Sequence, residues 1–563
     1  MLRRTVLCWV AATIAALHPA PPAKAATFLL VNLDGPGEGF NDTAAATPVG
    51  GNTGTTLGQQ RLNVFRAAGT IWGTYLPDNV TIVVEARFDP LTPCDASSGV
   101  LGSAGAISVA SDFTGAPVAN TWYPIALANK LAGTDLAPSS ADITARFNSS
   151  VDNGTCLGPT NWYYGYDHEE GSHIDLLDVV LHELGHGLGF QTFTNLGTGA
   201  FLNNRADIYA RNLFDVTQGQ SWDQMNNQKR KNSAVNTGNL VWDGAYVLVG
   251  APLFLGPASL VRIDSPPAIA GEKEHGTAEF GAPPPDPSLQ AQVILADDGV
   301  GTTSDACEPI VNGAQIAGKI AMIDRGTCTF VQKAQAAQAV GAVAVIIGNN
   351  VAGPPQGMAG SDPSITIPVV SITQDDATAI KGQLAVGVTA TIGVDPAHLA
   401  GADAQGRVKL YAPSPLESGS SVSHFDITAT PNLLMEPFIN TDLTSSSDLT
   451  QYAFTDIGWY ADVSAVAAIP VAAPPRAFSA PNPFSAATSI RFHLAQSGPV
   501  TLEVFDTRGG LVKRLQSAWR HAGFQSLEWD GTDATGRRAP TGVYFWRVRS
   551  ESQTRSGRVT RLE

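Results

Sequence analysis

The chain has 563 residues, 44% of them hydrophobic and only 15% charged, with 56 glycines and 37 prolines. That length divides into roughly three or four domains, and a composition of strands and turns with little surface charge excludes a coiled coil or a charge-rich disordered chain. Lys and Arg total 34 against 50 Asp and Glu, a net charge of −16, which argues against nucleic acid and anionic lipid as partners.

Residues 1–25 carry Arg3 and Arg4, an apolar run from Val6 to Leu17, and Ala23-Lys24-Ala25 before Ala26, the order of a secretory signal peptide. The mature chain is therefore expected to be secreted, outside the cell or on its outer surface. No later apolar run reaches the roughly 18 residues of a membrane span. Cys8 leaves with the leader, and Cys94, Cys156, Cys307 and Cys328 remain. Four cysteines allow three pairings. Loop closure favours Cys94 with Cys156 and Cys307 with Cys328, as suits an oxidising compartment.

Residues 26–262 form the first part of one domain. A helix is predicted from Gln59 to Trp72 and a β-branched strand from Val80 to Phe88, an α/β layer. A second helix is predicted from Ile174 to Phe190. Ser172 stands three residues before Asp175 in a capping-box arrangement, and Ile174, Leu177, Leu181, Leu184 and Leu188 form an apolar stripe. About 147 residues, Thr27 to His173, precede this helix without an obvious switch cysteine and read as sheet of the same domain.

On that helix lies HELGHGLGF, His182 to Phe190. Two histidines four apart present their imidazoles on one face, where both can bind one zinc, and Glu183 is placed one step round as a general base. A catalytic zinc needs a third protein ligand and an open position. No Glu occurs from Leu184 to Gly271, which disfavours a carboxylate on a following helix. Gly189 suits a sharp turn away from the helix, whereas Thr192 stands where a short motif would place a third histidine. His168 and His173, beside Asp167, Glu169 and Glu170, read as a solvated loop in preference to a second metal site.

Residues 263–396 shift to Pro-rich loops and small apolar strands, with a helix from Phe330 to Val340. The pieces GKIAMIDRGTCT, FVQKAQAAQAVGAVAVIIGNN and ITIPVVSI resemble the protease-associated (PA) domain. That resemblance implies a lid or substrate-positioning insertion without chemistry of its own.

Residues 397–463 resume the first domain, closing at FTDIGW, Phe454 to Trp459. After His275 and His398, in or at the edge of the insertion, the next histidine is His424, and Met435 follows eleven residues later in LLMEP. SHFD and LMEP, with the HELGH helix, resemble the leishmanolysin family of metzincins, in which the third histidine is displaced downstream by an insertion. A weaker likeness covers Tyr209 to Pro252, where DGAYVLVGAP reads as strand and turn. The resemblance implies zinc on His182, His186 and His424, Glu183 as base, and Met435 as the floor of the site.

A linker is predicted at 464–477. Residues 478–563 follow with strands at Thr488 to Leu494, Thr501 to Thr507 and Gly542 to Val548. PNPF, VTLEVFDTRGGLVKRL, WDGTDATGR and PTGVYFWRV resemble the immunoglobulin-like domain of flagellar hook-capping proteins, which implies a handle for sorting or adhesion. The Asp530 to Asp533 turn falls short of a calcium loop and reads as a hairpin turn, so structural Ca2+ is unsupported.

The expected fold is α+β and multidomain: a metzincin-like catalytic domain of mixed sheet plus active-site helix, split by a β-rich PA insertion, with a C-terminal Ig-like β-sandwich. The expected function is a secreted zinc endopeptidase with one catalytic Zn2+ acting on protein or peptide substrates. Its last module would engage secretion or cell-surface machinery. The alternative is a non-catalytic adhesive protein of the cell surface with a vestigial metalloprotease site, against which stands the presence of Glu183.

Overall fold

A computed structural model describes residues 25–562 apart from 356, 440–442, 444–447, 461–476, 481–483, 486, 495–497, 521–522 and 551–553. The predicted leader up to Lys24, with Arg3, Arg4 and Cys8, and nearly all of the predicted linker lie outside the described residues. No helix among the described residues is long and apolar enough to cross a membrane. The described residues form two compact units, one from those up to Gly189 together with 457–460, the other from Phe190 to Asp456 together with the C-terminal strands.

The first unit is a helix-on-sheet layer. Strands β1 (Phe28–Asn32), β2 (Ile82–Asp89), β3 (Gly102–Ala106) and β4 (Ile143–Asn148) make a sheet in the order β1-β2-β4-β3, parallel except for β3, which pairs antiparallel with β4 at the edge. Helix α1 (Leu57–Tyr75) crosses from β1 to β2, capped by the Thr56 hydroxyl, which accepts from the Gln59 amide. Phe40, Phe65, Phe88 and Phe147 fill one end of the core with edge-on or tilted rings 5.2–5.9 Å apart. After α2 (Ile125–Ala132), helix α3 (Leu176–Leu188) packs on β3, β4 and α1. It starts two residues later than predicted, and its cap is Asp175, not Ser172. Asp175 Oδ1 accepts from the Leu177 amide, because Ile174 and Asp175 stay extended to pair with Trp162 and Tyr163. Cys94 and Cys156 are bonded within this unit, Cα atoms 5.3 Å apart.

In the second unit, Leu240–Trp242 pairs with Leu213–Asp215 and receives the chain again much later, where the Trp242 amide donates to Val408 and the Leu410 amide to Leu240. DGAYVLVGAP is not strand and turn: Ala245–Phe254 is helix α4, with Val247, Gly250, Ala251 and Phe254 buried at helical spacing. A short apolar run does not by itself distinguish strand from buried helix. Here the carboxylate of Asp456, remote in sequence, accepts from the amides of Tyr246 and Val247 and satisfies the first turn.

From Pro257 to Leu399 runs an eight-stranded mixed sheet whose inner strands, such as Ile320–Asp324 and Ala344–Gly348, are apolar on both faces. Helix Phe330–Ala339, held by a Thr329–Gln332 capping box, covers one face, and helix Gln374–Gln383 the other. Cys307 and Cys328 are bonded here, Cα atoms 5.6 Å apart. The first and last strands, Pro257–Ser265 and Val388–Leu399, pair antiparallel with Pro257 opposite Leu399. The C-terminal strands form two sheets of three and four strands, closed over Phe484, Ile490, Leu502, Trp529 and Trp546.

Because the ends of the 257–399 sheet are neighbours, replacing residues 258–398 by a short Gly-Ser linker leaves a chain that still folds cooperatively. A far-UV circular-dichroism signal that is retained at room temperature and lost cooperatively on heating is the expected result.

Candidate metal centre

Every residue of α3 except His182 is buried, and the indole of Trp72 donates to the Leu181 carbonyl at 3.0 Å. The predicted apolar stripe thus holds the helix against the sheet while its other positions carry His182, Glu183 and His186. His182 and His186 lie one turn apart with their Nε2 atoms 3.1 Å apart. Two imidazoles bound at 2.0–2.1 Å to one tetrahedral zinc place their nitrogens roughly 3.3 Å apart, so this pair has the bite of a shared ion. The helix ends at Gly189, whose φ of 125° is open to glycine alone at little cost. A Cβ there would also lie 2.8 Å from Ile457 Cδ1.

Glu183 points to the edge strand β3. A Cβ on Gly102 would lie 2.5 Å from Glu183 Oε1 and 2.7 Å from its Cγ, so only glycine leaves room for the carboxylate. Burial pushes the Glu183 carboxyl up to about 8, against the backbone hydrogen bond from Ala104. The small residues of GSAGA, Gly102 to Ala106, were the one available sign of this packing.

In the second unit, His424 is 4% exposed, and its Nδ1 donates to the Ser420 carbonyl at 2.7 Å, which leaves Nε2 as the nitrogen carrying the lone pair. The turn is held by its own neighbours. Ser421 Oγ accepts from the Glu417 amide, Tyr411 Oη donates to Glu417, and Tyr209 Oη donates to the carbonyl of Val422, itself at φ 73°. The Phe425 amide donates to the Met435 carbonyl at 2.8 Å, so fully buried Met435 is tied to the residue beside His424. Thr192 gives its hydroxyl to Asp207, and its amide donates to Ser423 Oγ, the neighbour of His424.

Four other histidines fall elsewhere. His275 lies in the 257–399 sheet, between Lys273 and Ser259, and exposed His398 pairs with Asp395. His173 Nδ1 accepts from the Asn161 amide. His168 is not simply solvated: its Nδ1 lies 3.1 Å from Asp175 Oδ2 and 3.8 Å from Asp178 Oδ2. Burial works against its protonation, but Asp175, Asp178 and Glu170 outweigh it and lift His168 to about 9. The two acids at adjacent turns of α3 were the signal for this contact. Asp530 binds Thr532 and Lys513, and Asp533 binds Thr535 and Arg537, as in a closed turn.

Residues 289–380 match the PA domain family and residues 483–554 the FlgD Ig-like domain family. Neither match reaches 172–192 or 420–438. A probable lipoprotein aminopeptidase of Mycobacterium tuberculosis is 34% identical over 106 residues, 18% of this chain and 20% of that protein. A minor extracellular protease of Bacillus subtilis is 28% identical over 100 residues, 18% of this chain and 11% of that protein. A solved zinc aminopeptidase of Bacillus subtilis is 26% identical, covering 27% of this chain and 36% of its own, with a TM-score of 0.20. The chain spans a fifth or less of the length of these curated relatives.

Gly187 faces β4 so closely that a Cβ would lie 2.8 Å from Ile143 Cδ1. Gly187→Ala is expected to destabilise the chain by about 1–3 kcal/mol through overpacking, measured by denaturant titration.

Proposed function

We propose that this chain is an exported zinc endopeptidase of metzincin type, in which His182, His186 and His424 hold one zinc ion and Met435 underlies them. The observation that carries the reading is the pair of imidazole nitrogens 3.1 Å apart on one turn of a buried helix, with a buried carboxylate beside them. The peptidase names of relatives that share part of the chain support the same class of reaction. So does the match to the PA domain, an insertion of several unrelated peptidases.

When bound, zinc supplies a Lewis acid that polarises a peptide carbonyl and lowers the pKa of water from 15.7 toward about 7. Glu183 takes the proton of the attacking water on its carboxylate and passes it to the leaving amine. The Ala104 amide holds that carboxylate, and the bare edge at Gly102 keeps it in place. The Ser420 carbonyl fixes the ring and tautomer of His424. The Ig-like strands act as a handle toward the outer surface or the export machinery.

The test uses the full chain with a zinc assay and two substrates, an internally quenched peptide blocked at both ends and an aminoacyl reporter with a free amine. Chelator-sensitive cleavage of the blocked peptide is expected. Cleavage of the free-amine reporter alone would make the chain an aminopeptidase, and absence of both activities would favour the adhesive reading. Glu183→Gln should lower kcat by about 10²–10⁴-fold with zinc content unchanged, and Gly102→Val should act in the same way by displacing Glu183. His424→Ala should weaken zinc binding more than the roughly 10–100-fold that follows loss of an outer hydrogen-bond partner.

A further inference from the structure

A second cluster of metal-ligating side chains lies wholly within the first unit, around the first turn of α3. His168, Asp175 and Asp178 each bring one donor atom into a group whose members lie within 4.8 Å of one another. Asp175 uses Oδ1 to cap the helix and turns Oδ2 toward His168, 3.1 Å from its Nδ1. Asp178, one turn on, is 4% exposed, and its Oδ1 is buried with no hydrogen-bond partner among the described residues. Glu170 Oε2 is buried in the same condition, and its charge acts on both His168 and Asp178.

Three carboxylates around one imidazole, with buried oxygens left without donors, form an arrangement that a proton on His168 only partly compensates. Buried carboxylates without donors are costly to desolvate unless a cation or further hydrogen bonds offset them. An imidazole in the set favours a borderline ion such as zinc over calcium, which takes oxygen ligands. Donors on one tetrahedral zinc lie about 3.3 Å apart, so side-chain movements of at most about 1.5 Å close the set.

We infer that His168, Asp175 and Asp178, with Glu170 alongside, form a structural site for a second divalent transition-metal ion. It ties the 166–173 loop to the start of the helix that carries His182, Glu183 and His186, and it takes no part in hydrolysis.

The experiment strips the full chain with chelator and equilibrates it with zinc, manganese or calcium in separate arms. Bound metal per chain is counted by mass spectrometry, and circular dichroism verifies folding. The wild type is expected to hold two zinc equivalents and His182→Ala/His186→Ala to keep one. Adding His168→Gln or Asp178→Asn to that double variant should weaken the remaining site at least 100-fold. His168 is partly exposed, so its replacement is the variant that folds if Asp178→Asn does not. Failure of the double variant to retain any zinc or manganese overturns the inference, as does retention after His168→Gln or filling by calcium alone. If wild type and double variant both hold one equivalent that His168→Gln removes, this site stands and the proposed catalytic centre falls.

Discussion

A single helix must bury both an apolar stripe and ionisable side chains, and the other features of the first unit follow from that demand. Seven aliphatic side chains of α3, from Leu176 to Leu188, are buried, each worth roughly 1.5–3 kcal/mol of apolar burial. The same helix buries Asp178, Glu183 and His186. Burying such groups is unfavourable, and both carboxyls register it: Glu183 is pushed up to about 8, and Asp178 is raised by burial and by neighbouring Asp175. The helix tolerates this because its backbone is anchored from end to end. Asp175 caps the start, Trp72 donates to Leu181, and the indole of Trp459 donates to the otherwise orphaned Leu188 carbonyl.

The second unit solves a related problem without a helix. His424 sits in an irregular turn, where regular backbone bonding cannot hold a side chain in place. Its ring is fixed by a carbonyl four residues back, and the turn is clamped by Tyr411, Tyr209 and the Phe425–Met435 backbone bond. The stacked and edge-on rings of Phe190, Tyr209, Trp242 and Phe425 give that turn a rigid base. Precise placement of a loop residue thus comes from large side chains that cannot move independently.

What the sequence disclosed depended on whether a signal was periodic. The α3 stripe, the Phe330–Ala339 helix and the Thr488–Leu494 strand fall where spacing places them, because one buried face repeats at 3.6 or 2 residues. The two disulfides follow loop closure within each module. Helix α4 leaves no local sign because its decisive partner, Asp456, is 210 residues from Tyr246. Ser172 lost the cap to Asp175 through a two-residue strand pairing that no local pattern announces. The packing of Glu183 on Gly102 and the approach of His168 to Asp178 are tertiary contacts, visible beforehand only as a small-residue strand and two acids one turn apart.

The separation of Phe190 from His424 in sequence is less severe within the second unit, where the rings of Phe190 and Phe425 meet. The Gly256 amide donates to Thr430, and the Ala400 amide donates back to Gly256, so the chain resumes after the 257–399 sheet where it left. Pro257 and Leu399 face each other at the neck of that sheet. A module whose ends meet in this way adds only a slowly growing closure entropy to its host, which depends on the logarithm of the inserted length. It also leaves the host strands free to find one another: Leu240–Trp242 pairs with 408–410 as if the intervening residues were a tight loop. His424 is therefore delivered by the return of the chain to a strand already in place before the insertion begins, and the length of the insertion does not govern where its ring is held.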